Sequence, residues 1–108
     1  LLPHWGSVAP FALDRPDQFR PPAPPALTSA AWAGDLAEVR DLGRNTSTTR
    51  TADQTQVAHF WADGAGTVTP PGHWLAIAAA AARDRNLDAA TTTRMLAALS
   101  VALADASI

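Results

Sequence analysis

The chain has 108 residues, the size of one small domain or of part of a larger one, and 47% of them are hydrophobic. Its net charge of −2 and its eight scattered cations, all Arg, argue against a nucleic-acid or acidic-lipid surface, because such surfaces use clustered cations. Without cysteine there is neither a disulfide framework nor thiolate chemistry. The longest apolar run, Trp74 to Ala82, is far short of the ~18–20 residues of a membrane span.

Residues 1–27 are predicted to form a Pro-rich, extended arm without helix. Proline holds φ near the polyproline value and lacks an amide donor, and this segment contains Pro3, Pro10, Pro16, Pro21, Pro22, Pro24 and Pro25. Trp5, Phe11 and Phe19 favour an arm laid over a helical surface. A flexible linker, or a polyproline ligand at residues 20–25, stays open as an alternative.

The first two predicted helices are separated by a polar loop. The first runs from near Ser29 to Leu42, with Thr28 or Ser29 as its cap and Gly43 as the residue that stops it. The second begins at Thr51, whose spacing from Gln54 is that of a capping box, and breaks at Gly64.

Two further helices follow a Gly/Pro-rich turn. The third is expected to start after Pro70-Pro71 and to end near Arg85, with Asn86 as its stop and Asp88 as the cap of the fourth. No strand period is present, so the predicted fold class is all-α with about four helices. The expected core anchors are Trp32, Phe60, Trp61, Trp74, Leu75 and Leu96.

Few residues qualify for catalysis or metal binding. His4, His59 and His73 lack the helical spacing of metal ligands, and no serine lies in a nucleophile elbow. Gly64-Ala-Gly66 follows no strand and is therefore a turn rather than a dinucleotide motif. The sequence predicts no metal site and no catalytic residue in this chain.

The segment from His59 to Trp74 is the richest in aromatic and ionisable side chains. Asp63, directly before Gly64, has two interpretations: a turn-forming Asp that binds its own backbone, or a partly buried carboxylate that holds an Arg from another segment. The neighbouring histidines, His59 and His73, are expected to bind backbone or solvent near helix ends.

Nearly the whole chain resembles the vanadium-dependent haloperoxidases, within the superfamily that includes type 2 phosphatidic-acid phosphatases and bacterial class A acid phosphatases. The segments that carry the resemblance are Trp5-Gly-Ser-Val-Ala-Pro-Phe11, the arm at residues 19–25, the polar segment at 46–54, the block from Phe60-Trp-Ala-Asp-Gly64 to Pro70-Pro-Gly-His-Trp74, and Leu103-Ala-Asp-Ala106. The resemblance implies that residues 28–108 are the N-terminal part of a larger helical-bundle enzyme, truncated at the C-terminus before its vanadate-binding motifs.

In that family, Lys, two Arg, Ser, Gly and two His form the vanadate site. This chain has no Lys, and Pro71-Gly-His73 lacks the hydroxyl of the family's Ser-Gly-His, so the resemblance implies no catalytic residue here. Asp63 matches the family's acidic residue that pairs with a vanadate-contacting Arg. The resemblance also suggests that Trp61, Pro70, Pro71 and Trp74 line the approach to the pocket.

The function implied for the intact enzyme is peroxide-dependent oxidation of halide to hypohalous acid, with vanadate as cofactor. The implied partners are the C-terminal bundle of the same polypeptide, hydrogen peroxide and halide, with a homo-oligomer and export left open. A phosphoester hydrolase of the same fold and a non-catalytic helical binding module are the alternatives. For a piece of a larger enzyme, we expect an exposed apolar face along Leu96, Leu99 and Leu103.

Overall fold

A computed structural model describes residues 3–108, which contain four α-helices and no strand. The helices are α1 (Ala30–Gly43), α2 (Ala52–Phe60), α3 (Thr69–Asp84) and α4 (Ala89–Ala106), preceded by a short 3-10 turn at Trp5–Ser7. The predicted all-α class is confirmed. No helix in this part of the chain combines the length and apolar character that crossing a bilayer requires.

The chain divides into two compact units. The α1–α2 unit is Pro21–Ala62. The α3–α4 unit is discontinuous in sequence, since it combines the segment up to Arg20 with Asp63–Ile108.

In the α1–α2 unit, both helix starts are capped as the sequence predicts. The Ser29 hydroxyl accepts a hydrogen bond from the Trp32 amide at 3.1 Å. At α2, the Thr51 hydroxyl accepts from the Gln54 amide (3.1 Å), and the Gln54 side chain accepts from the Thr51 amide (2.9 Å). This reciprocal pair satisfies two amides that have no partner within the helix.

The end of α1 differs from the prediction that Gly43 stops the helix. Gly43 is still helical, and the next residue, Arg44, is extended. The carbonyl groups at a helix end have no donor within the helix, and here Arg50 supplies one. Its Nη1 donates to the carbonyl oxygens of Leu42 (2.6 Å) and Arg44 (3.0 Å). Its Nε donates to Oγ1 of Thr55 at 3.1 Å, so one guanidinium joins the end of α1 to α2. A cation beside terminal carbonyls also complements the helix dipole.

In the α3–α4 unit, the two helices pack against each other. Helix α3 starts at Thr69, so Pro70 and Pro71 lie within its first turn instead of before it. Proline is tolerated there because those amides have no acceptor in the helix. The predicted stop after α3 is confirmed by the left-handed backbone of Asn86 (φ 51°), and the predicted cap of α4 by Asp88, which accepts from the Thr91 amide at 2.7 Å.

The predicted core is wrong for its three largest exposed members: Phe60, Trp61 and Trp74 are 53%, 45% and 43% exposed. The buried apolar residue of the described chain is instead Ala82, at 3% exposure. Small alanine side chains let two helices approach closely, and they leave little room for an aromatic anchor between them.

The predicted exposed face on α4 is also wrong. Its three members, Leu96, Leu99 and Leu103, are half-buried. The prominently exposed aliphatic side chains include those of Leu36 and Val39 on α1. The physical reason is that α4 packs against α3, because helix packing reduces the exposed area of both helices.

Candidate functional site at the Asp63–His73 pair

The loop between Asp63 and α3 reverses the direction of the chain. Its turn is closed by Thr67, whose amide (3.2 Å) and hydroxyl (2.8 Å) both donate to the Gly64 carbonyl. Two residues have positive φ, Gly66 in the loop at 89° and Thr69, the first residue of α3, at 62°. Glycine adopts this conformation freely, whereas for Thr it costs about 1–2 kcal/mol. The backbone is therefore constrained just where α3 begins.

This reversal brings Asp63 to His73 in the second turn of α3. The His73 Nδ1 lies 3.0 Å from Oδ1 and 3.0 Å from Oδ2 of Asp63, across ten residues of sequence. The Asp63 and His73 side chains are only 11% and 15% exposed. Of the two interpretations of Asp63, the backbone-binding turn is not what the structure has, because its carboxylate contacts a side chain of the next helix. The prediction that His73 binds backbone or solvent missed this contact.

Protonation of the imidazole sets the charge of this pair. A neutral His73 donates to the carboxylate when Nδ1 carries its proton, and the pair then has a charge of −1. A doubly protonated His73 makes the pair an ion pair without net charge. In its anionic form, the pair is suited to binding a guanidinium or another cation.

The first turn of α3 restricts the backbone close to the Asp63–His73 pair. Pro70 and Pro71 fix φ at two successive positions next to the histidine. A side chain at Gly72 would place its Cβ 3.0 Å from the Val68 Cβ, so glycine allows the incoming loop to lie close to the helix.

The remaining predicted site residues lie near helix ends. Pro70 and Pro71 are exposed, and Trp74 follows His73 on α3. Trp61 belongs to the α1–α2 unit, where it ends α2 and its ring meets Phe60 edge to face, with centroids 4.9 Å apart. That these four side chains line the approach to a pocket stays a prediction.

The residues present do not fit vanadate or a metal ion. Across residues 3–108, no group of three or more His, Asp or Glu side chains is arranged to hold a metal. Vanadate is an oxyanion that needs clustered cationic donors, and the candidate site is centred on a carboxylate. A bound vanadate would therefore have to be held by residues outside this chain.

A buried carboxylate, that of Asp105 near the end of α4, was not recognised as a site from the sequence. It is 6% exposed and accepts hydrogen bonds from three successive backbone amides, those of Phe11 (2.7 Å), Ala12 (2.8 Å) and Leu13 (3.0 Å). The Phe11 amide contributes most to holding the pKa of Asp105 below its ordinary value; burial opposes it, and the other two amides add to it.

The N-terminal segment is thus attached to α4 through its backbone. Trp5 adds a second contact, because its Nε1 donates to the Ser107 carbonyl at 2.6 Å. The prediction of aromatic residues laid over a helical surface is wrong for Phe11 and Phe19, which are exposed. The sequence signal for Asp105 was a charged residue in the apolar stretch Leu103-Ala-Asp-Ala106 with no cation one turn before it.

Comparisons with protein-family models, with curated proteins and with solved structures found no match to this chain.

Proposed function

We propose that this chain is the N-terminal helical portion of a vanadium-dependent haloperoxidase, an enzyme that uses peroxide to oxidise halide to hypohalous acid. The segment from Phe60-Trp-Ala-Asp-Gly64 to Pro70-Pro-Gly-His-Trp74 carries the proposal. In this proposal the rest of the polypeptide supplies the cations and the histidine that hold vanadate, and this chain supplies the carboxylate of Asp63.

The environment of Asp63 supports that role. Carboxylates are rarely this well buried unless a partner accompanies them, and the Asp63 side chain is 11% exposed although few side chains of residues 3–108 are buried. Its two oxygens offer about four acceptor positions, of which the contact with His73 uses only part. The remaining acceptor positions of Asp63 can bind the guanidinium of an Arg from a following segment. The resulting pair would orient that guanidinium toward an oxyanion.

Exposed apolar side chains give independent support for a larger protein. They occur in the α1–α2 unit at Leu36, Val39, Val57 and Phe60, and in the α3–α4 unit at Trp74. Leu36 and Val39 lie one turn apart on α1, and adjacent exposed apolar side chains are typical of surfaces that pack against more protein. In the proposed enzyme, the C-terminal helical bundle covers them.

The proposal is tested on the intact polypeptide that contains this chain. Bromide- and peroxide-dependent halogenation of a dye is measured with and without added vanadate, and we expect turnover that depends on vanadate. Phosphatase activity that vanadate inhibits, without halogenation, would instead assign the protein to the phosphoester hydrolases. Absence of both activities in a folded protein would reject the superfamily assignment.

The role of Asp63 is tested by Asp63→Asn, which keeps the shape of the side chain and removes its charge. We expect vanadate affinity to fall by about 10- to 100-fold, as is typical when a group that orients a ligand-binding residue is lost. Asp84→Asn is the matched control, since Asp84 is an exposed carboxylate at the end of α3. Equal vanadate affinity in the two variants would remove Asp63 from the proposal.

A further inference from the structure

We propose that His73 is a positioning residue, which holds the Asp63 carboxylate in the orientation that receives a cation from another segment. This inference rests on the proposed function, because that cation is the vanadate-contacting Arg. Nothing in the sequence resemblance gives His73 a role; the contact seen in the structure does.

The geometry of the contact is the first argument. Nδ1 lies at the same distance, 3.0 Å, from both oxygens of the carboxylate, so the imidazole approaches between them. An approach of this kind fixes the plane of the carboxylate and leaves the outer acceptor positions of both oxygens for a guanidinium.

The second argument is the difference in rigidity between the two partners. His73 is anchored in a helix whose first turn contains two prolines, whereas Asp63 lies in the loop that precedes this helix. A loop side chain with free torsions populates several rotamers, and only some of them present both oxygens to an incoming Arg. The contact with His73 selects one of them before the cation arrives, which lowers the entropy cost of binding.

The third argument concerns the acceptor positions of the carboxylate. The imidazole contacts Asp63 through a single ring nitrogen, Nδ1, and so orders the carboxylate without occupying all of its acceptor positions. A Lys or Arg in the place of His73 would order the carboxylate equally well, but it would compete with the incoming guanidinium. A contact through one imidazole nitrogen is therefore suited to positioning this carboxylate while leaving acceptor positions for a cation.

Two substitutions of His73 distinguish the effect of its hydrogen bond to Asp63 from the effect of side-chain size. In His73→Asn, the amide nitrogen takes nearly the place of Nδ1 and still reaches Asp63. In His73→Gln, the amide lies one bond further out and loses that geometry. In the intact polypeptide we expect His73→Gln to raise the apparent Kd for vanadate about tenfold with kcat at saturating vanadate unchanged, and His73→Asn to stay within about threefold.

Two further variants complete the experiment. His59→Gln is the matched control, since His59 is exposed on α2, and it should leave the Kd unchanged. The double variant Asp63→Asn/His73→Gln should lose no more affinity than Asp63→Asn alone, because His73 acts through Asp63. Additive losses, or a lower kcat in His73→Gln with an unchanged Kd, would overturn the proposal.

A measurement without vanadate separates this inference from the proposed function. The nitrogen NMR shifts of the His73 ring should show a proton on Nδ1 in the wild-type protein, with the tautomer balance changed by Asp63→Asn and not by Asp84→Asn. A His73 ring that is insensitive to Asp63→Asn would overturn the positioning role even if the protein is a haloperoxidase. Wild-type protein that shows this signature but binds no vanadate would instead reject the proposed function. The NMR comparison keeps His73 in place, so it also decides the question if the His73 variants fail to fold.

Discussion

Replacing Arg50 with Ala should destabilise the α1–α2 unit selectively. The guanidinium makes three hydrogen bonds, two to carbonyl oxygens at the end of α1 (2.6 and 3.0 Å) and one to the Thr55 hydroxyl (3.1 Å). Each hydrogen bond to a charged group contributes about 1.5–3 kcal/mol when considered alone. The three share one half-buried side chain and water replaces part of what is lost, so we expect a total of about 2–3 kcal/mol.

Amide hydrogen exchange measures this loss locally. A cost of about 2–3 kcal/mol corresponds to roughly 30- to 150-fold faster exchange at protected amides of α1 and α2. The α3–α4 unit is the internal reference, and Arg83→Ala is the matched control, since Arg83 is an exposed cation in the last turn of α3. Arg50→Lys keeps the charge without the fork of donors and should cost an intermediate amount. Unchanged exchange in α1 and α2 of Arg50→Ala, or equal acceleration throughout both units, would refute the local role.

Two other contacts give predictions. Because the pKa of Asp105 is held below its ordinary value of 3.8, its contribution to stability is present above that pH and is lost as the pH falls through the lowered folded value. Asp105→Asn should speed hydrogen exchange of the amides at residues 11–13 and abolish this acid dependence of stability, whereas the control Asp84→Asn should do neither. Slow exchange of these amides in Asp105→Asn would contradict their hydrogen bonds to Asp105. Thr51→Ala removes the cap of α2 and should cost about 1 kcal/mol in urea unfolding, against no change for the exposed control Thr46→Ala. An unaltered midpoint for Thr51→Ala would refute that assignment.

The starts of α1, α2 and α4 and the end of α3 were predictable from the sequence, because capping depends on residues three or four positions apart; α2, by contrast, ends at Phe60, before the predicted break at Gly64. Ser29, Thr51, Asn86 and Asp88 all have the predicted roles. The end of α1 was not predictable in this way, because its terminal carbonyls are satisfied by Arg50, which lies beyond the polar loop. The rule that a glycine ends a helix considers only neighbouring residues, and it does not take account of a cation from a later segment that binds the terminal carbonyls.

Sequence reasoning singled out Asp63 as a candidate residue, but it did not predict the contact of Asp63 with His73. Asp63 was singled out by its position before Gly64 and by the family resemblance, whereas its pairing with His73 depends on a chain reversal that includes a left-handed Thr69. Thr is disfavoured in that conformation, so no residue propensity predicts it. The binding of Asp105 to amides 92 to 94 residues earlier is harder still to predict from the sequence, because no periodic pattern connects a helix end with an irregular segment.

The hydrogen bonds from the amides of residues 11–13 to Asp105 have a consequence for how the protein folds during synthesis. The amides at residues 11–13 leave the ribosome long before the carboxylate that binds them. At about 5–20 residues per second, the intervening chain takes roughly 5–20 s to synthesise. The α1–α2 unit lies wholly within this interval and is complete before α3 and α4 exist. During translation, the amides at residues 11–13 therefore stay solvated until α4 has been synthesised and Asp105 can accept their hydrogen bonds.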